Sequence, residues 1–138
     1  MVFYAVIDTN VLVSALLSSK DDSATVQVLN KVIRGEIVPV YSSSIACEYR
    51  EVLSRKKFGF SSILIEYLLS AIEKYGLLVY PSPSGIILPD MKDLPFYEVV
   101  LEKRDDNAYL VTGNTRHFPN EAFVVTPREL LEILNKNS

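Results

Sequence analysis

The chain has a single cysteine, a single histidine, and no apolar run of eighteen residues. One cysteine, Cys47, closes no internal disulfide, and no Cys/His spacing suits a zinc site. A membrane-spanning helix needs about twenty consecutive apolar residues, so none is expected. The first residues carry no basic stretch and no small-residue cleavage pattern, so export is not indicated and a cytoplasmic protein is expected. Internal repeats and low-complexity segments are also lacking. No G-x-G-x-x-G follows the first apolar segment, which removes the dinucleotide-binding fingerprint. A haloacid-dehalogenase-type phosphatase would place a second Asp two residues after the first, and Asn10 stands there instead.

Hydrophobic residues make up 49% of the 138, enough for a core, and the length suits one domain spanning residues 1–138. Net charge is −3 at pH 7, which argues weakly against general affinity for nucleic acid. The charge is uneven. "YREVLSRKK" gathers Arg50, Arg55, Lys56 and Lys57, whereas "PDMKD" and "KRDDN" are acidic. A solvated helix end explains the basic cluster at least as well as a ligand does.

The segments alternate. Strands are expected at residues 2–7, in "IVPVY", "LLVYP" and "AYLVT", and in "FVV". Between them come a helix through about residue 17 capped by Thr9 or Asn10, and a second opened by Ser23 and closed at Gly35. A third runs over about 45–55, capped within Ser42 to Ser44, and a fourth from Ser61 or Ser62 to Tyr75. A fifth has Pro95 in its first turn and reaches about residue 103, and a last one is capped by Thr126 and Pro127. Alternation of this kind predicts parallel strands with right-handed crossovers and helices on both faces. The unbroken apolar strands agree with a sheet covered on both sides.

In such sheets ligands bind beyond the C-terminal strand ends. Asp8 stands at the end of the first strand, and Asn114 follows the fourth after Gly113. A carboxylate at the edge of a core is costly unless paired or bound to a cation. Glu48, Asp90 and Asp93 are the further acids available. Taken singly each has a plainer explanation: Glu48 as a solvated helix residue, Asp93 as a helix cap, Asp90 and Asn114 as turn residues. Taken together, Asp8, Glu48 and Asp93 can converge in one crevice, and clustered carboxylates call for a cation such as Mg²⁺ or Mn²⁺. Cys47 reads as a small core residue, since no base is evident beside it.

"VIDTNVLVSAL", Glu48 in a serine-capped helix, "DMKDLPFYEV" and "AYLVTGNTRHFP" together resemble the motifs of the PIN-domain family, in order and spacing, over nearly the whole chain. The likeness is greatest to small prokaryotic PIN proteins described as ribonuclease toxins of toxin–antitoxin pairs. The resemblance implies a three-layer α/β/α sandwich around a mainly parallel sheet of four to five strands. It implies a metal-dependent endoribonuclease leaving 5′-phosphate and 3′-hydroxyl ends. Asp8, Glu48 and Asp93 would be the metal-binding acids, with Asp90 supporting them and Asn114 standing where many PIN domains have a further Asp. Thr9, Asn10 and Thr112 would orient the site. Arg50, Arg55, Lys56, Lys57, Arg116 and His117 would meet the RNA. A cognate antitoxin and homodimerisation are expected on the same ground. The alternative is a non-catalytic PIN-type module that binds a protein or RNA partner.

Overall fold

Residues 3–7 are apolar or aromatic throughout, with β-branched Val6 and Ile7, and they become the central strand of the sheet. The computed structural model describes residues 2–137. Strand β1 (Phe3–Ile7) is followed by α1 (Thr9–Leu17), α2 (Ala24–Ile33), β2 (Ile37–Tyr41), α3 (Ser43–Leu53), α4 (Ser62–Tyr75) and β3 (Leu77–Leu78). Then come α5 (Leu94–Glu102), β4 (Tyr109–Val111), β5 (Val124–Val125) and α6 (Pro127–Lys136). The five strands lie in the order β3-β2-β1-β4-β5, and every pairing is parallel.

Strand β1 is hydrogen-bonded on both sides, with Ala5 opposite Pro39 of β2 and Tyr109 of β4. The chain first builds outward from β1 through β2 to β3, then returns to the other side of β1 for β4 and β5. That reversal puts a topological switch point between β1 and β4, the place where open α/β sheets leave a crevice. Helix α5 packs on β1, β2 and β4 with α3 beside it, while α2 and α6 pack on each other and on β2, β4 and β5. Three layers result, and the core between them includes Val6, Ile37, Ile45, Phe96, Val99 and Leu110.

Local chemistry sets the boundaries. Ser23, Ser42 and Ser61 each accept a backbone N–H of the helix they precede, and Thr126 with Glu129 forms a reciprocal capping box. Gly76 ends α4 against β2: a Cβ there would lie 2.2 Å from the Ile72 carbonyl oxygen and 2.7 Å from that of Pro39.

Three expectations change. Helix α1 begins at Thr9, so Asp8 rather than Thr9 or Asn10 holds the N-cap position, and its carboxylate makes no cap bond. Strand β3 has only two residues because it is an edge with one neighbour, and its chain turns outward at the exposed Tyr80. Cys47 is exposed instead of filling the core, because the buried stripe of α3 runs through Ile45, Tyr49 and Leu53. No helix among the described residues is long and apolar enough to cross a membrane.

Candidate active site

Asp8 is the first residue past β1, and Thr112 the first past β4. Neighbouring strands therefore deliver both side chains to the switch point, where the Asp8 N–H also donates to the Val111 carbonyl at 2.9 Å. Both side chains are buried. The Thr112 hydroxyl donates to Asp8 Oδ2 at 2.8 Å, and Asn10 Nδ2 lies 3.4 Å from the same oxygen. Burial pushes the Asp8 carboxyl up to about 6; Thr112 opposes the shift, and the charges of Asp93 and Glu48 add to it.

Each remaining acid comes from a different element. Glu48, half-buried on α3, accepts a hydrogen bond from the Thr9 hydroxyl at the start of α1. Asp93 precedes α5 but makes no cap bond to it, which removes the helix-cap explanation. Its Oδ2 is buried with no hydrogen-bond partner among the described residues, although His117 Nδ1 stands 3.2 Å away. Burial and the neighbouring Asp90 raise the Asp93 carboxyl above its usual range, and His117 partly offsets this. Asp90 itself is exposed and caps the short turn that leads into α5 by accepting from the Lys92 N–H at 3.0 Å.

Asn114 is tied into the same end of the sheet. Its N–H donates to the Thr112 hydroxyl at 3.0 Å, and its side-chain nitrogen lies 2.9 Å from His117 Nε2. The Gly113 N–H donates to Asn10 Oδ1 at 3.1 Å. Asn10, Thr112 and Asn114 thus knit the loop after β4 to the start of α1.

The acids share one end of the sheet, yet no three His, Cys, Asp or Glu side chains among the described residues form a group spaced to hold a metal ion. Each acid instead turns to its own partner: Asp8 to Thr112, Glu48 to Thr9, Asp93 toward His117. The donor set is rich in oxygen, and the buried Asp8 carboxylate and the buried Asp93 oxygen beside His117 are the features a hard divalent ion would satisfy.

A family model for the PIN domain matches residues 4–116. The chain belongs to the PIN-domain family. Its members are generally nucleases, and they typically use divalent metals. No curated protein sequence and no solved structure gives a significant match. The sheet of five parallel strands between helices is the three-layer fold the motifs imply.

The basic residues divide into three sets. Arg50 is engaged with Glu66 of α4 in a two-pronged ion pair, and Arg55 lies 3.7 Å from Glu51. Lys56 and Lys57 are exposed on the short turn after α3. Arg116 is exposed on the loop after β4, beside His117. Tyr49 was not among the expected site residues, although its spacing from Ile45 and Leu53 marks it as buried. Its hydroxyl donates to the Ile7 carbonyl at 2.5 Å and so fastens α3 to the residue before Asp8.

Proposed function

We propose that this PIN-domain protein is a divalent-metal-dependent endoribonuclease, with Asp8, Glu48 and Asp93 holding Mg²⁺ or Mn²⁺ and Asp90 and Asn114 flanking them. The observation that carries the reading is a buried Asp8 carboxylate pushed up further by the nearby charges of Asp93 and Glu48, with the buried Asp93 oxygen facing only His117 Nδ1 at 3.2 Å among the described residues. Burying such groups is costly unless a cation joins them. Such an ion, when bound, supplies charge stabilisation for an in-line displacement at phosphorus. The protein's own part is to orient. Thr112 fixes the Asp8 carboxylate, Thr9 holds Glu48, and Asn10 anchors the backbone that carries Thr112. The toxin role in a cytoplasmic toxin–antitoxin pair, with an antitoxin covering the acidic end and a homodimeric state, rests on the likeness of the four motif stretches to small prokaryotic PIN proteins.

Incubating a mixed RNA pool with the protein and Mn²⁺ or Mg²⁺, then sequencing the fragment ends, tests the activity. Cleavage by the wild type and none by Asp8→Asn is expected; equal cleavage by both would overturn the assignment. A second reading, a PIN-type module that binds a partner without cutting it, is favoured by Asn114, a neutral group whose amide is engaged with His117. A module of that kind should gain no thermal stability from Mn²⁺, whereas a metal-binding nuclease should.

A further inference from the structure

His117, the chain's single histidine, is exposed on the loop after β4, yet both of its ring nitrogens face protein groups. Nε2 lies 2.9 Å from the Asn114 side-chain nitrogen, and Nδ1 lies 3.2 Å from Asp93 Oδ2. An amide nitrogen only donates, so Nε2 is the acceptor of that contact. In the neutral ring the proton then sits on Nδ1, facing the Asp93 carboxylate.

Neighbouring residues build the ring's place. The short turn Thr115–His117 is closed by the His117 N–H on the Asn114 carbonyl and the Phe118 N–H on the Thr115 carbonyl, each at 3.2 Å. Phe118 is buried and stacks on Tyr97 of α5, with ring centroids 6.3 Å apart. Asp93 immediately precedes α5, so the turn that carries His117 is packed on the helix that follows Asp93. On its other side Asn114 reaches toward Asp8: its N–H donates to the Thr112 hydroxyl, which donates to Asp8 Oδ2. A line of polar contacts thus joins Asp8 to Asp93 through Thr112, Asn114 and His117.

We propose that His117 is a positioning residue for Asp93: its Nδ1–H holds the carboxylate in one orientation for a divalent cation, and Asn114 keeps the ring's proton on that side. The proposal rests on the metal-dependent reading of the site and adds the residue that orients its third acid. Two observations select this role over contact with RNA. The last torsion of an Asp side chain is broad, so its carboxylate turns unless a neighbour fixes it. Asp93 makes no cap bond to α5, and the ring stands beside its buried Oδ2. Both ring nitrogens are also committed to Asp93 and Asn114, which leaves neither turned outward for a phosphate. A donor beside a ligating carboxylate fixes its orientation, and losing such a partner weakens metal binding about tenfold or more.

Calorimetric titration of the full chain with Mn²⁺, without RNA, tests this. Asn and Gln separate the two ring nitrogens. The Asn amide nitrogen stands as many bonds from Cβ as Nδ1 does, and the Gln amide nitrogen as many as Nε2. His117→Asn keeps a donor for Asp93 and should bind Mn²⁺ within about threefold of wild type, whereas His117→Gln and His117→Ala lose it and should bind about tenfold more weakly. The melting temperature of the metal-free protein should shift little in all three, because the ring is exposed. In cleavage assays the Mn²⁺ concentration for half-maximal rate should rise in His117→Gln and His117→Ala, while KM for RNA at saturating Mn²⁺ stays as in wild type. Unchanged Mn²⁺ affinity in His117→Ala would overturn the proposal, and a raised KM beside it would assign His117 to the RNA instead. A loss in His117→Asn equal to that in His117→Ala would overturn it by making the ring itself a ligand. Tighter binding in His117→Ala would overturn it by showing that the ring obstructs Asp93. The expected Mn²⁺ affinities in a protein that cleaves no RNA would sink the nuclease reading and leave the role of His117 standing. Cleavage that is lost in Asp8→Asn, with Mn²⁺ affinity unchanged in His117→Ala, would do the reverse.

Discussion

Asp8 is held where a charge is least welcome, and its titration should report this. Its folded pKa of about 6 lies above the ordinary Asp value of 3.8, so between those values the native state keeps a proton that the unfolded chain has released. Stability of the metal-free protein should therefore fall as pH rises through that window, by up to about 3 kcal/mol, and level off above it. Asp8→Asn removes the effect, since an amide oxygen can still accept from Thr112. At pH 7 the metal-free variant should melt above the wild type, and below about pH 4 the difference should vanish. Identical melting profiles for the two proteins from pH 4 to 7 would place Asp8 in a far more solvated setting. The same substitution should lower cleavage at least about a hundredfold, as loss of an electrostatic group at a reacting centre does. Asn114 permits the opposite experiment. Asn114→Asp adds a charge beside the site, so calorimetry should show several-fold tighter Mn²⁺ binding and a lower melting temperature without metal. Unchanged values would mean that Asn114 serves only to turn the chain.

Two close approaches between elements set the rigidity of the scaffold. At Gly76 the backbone of α4 comes so near β2 that a methyl group would strike two carbonyl oxygens. Gly76→Ala must therefore move backbone and should cost about 3 kcal/mol in denaturant unfolding. A loss below about 0.5 kcal/mol would show that β3 and the end of α4 yield easily, as surface positions do. Where α3 meets β1, Tyr49→Phe removes a buried donor to the Ile7 carbonyl and should cost about 1 kcal/mol. Activity should fall more than that stability loss explains, because the bond fixes the residue before Asp8. The alternation of strands and helices, the serine caps and the capping box of α6 were legible in the sequence because each is a local preference of a few residues. The start of α1 and the length of β3 were not. Asp8 looks like the end of a strand and not like a cap, and an edge strand stops where its single neighbour stops pairing.

At the scale of the whole molecule, net charge is −3, so the proposed RNA affinity would have to come from a local concentration of positive charge. Arg50 is committed to Glu66, whereas Lys56 and Lys57 are exposed on the turn after α3 and form no ion pair among the described residues, the Lys57 ammonium lying over the Phe58 ring. Replacing both lysines by Ala should raise KM for RNA and flatten its dependence on salt, while Arg50→Ala should change neither much. The reverse pattern would move the RNA track to the face shared by α3 and α4. By itself the sequence determined the element order and the parallel sheet and offered the candidate acids, because periodicity, caps and residue chemistry are written locally. The tertiary structure alone decided which residues meet. The switch between β1 and β4 joins Asp8 to Thr112 across more than a hundred residues. The docking of α3 gives Glu48 to Thr9 and Arg50 to Glu66, although the two lie two positions apart in the sequence. Phe58 reaches the flank of α1 only because the chain turns back after α3. Contacts between distant segments depend on how layers pack, and packing is a property of the assembled surfaces that no single stretch of chain encodes.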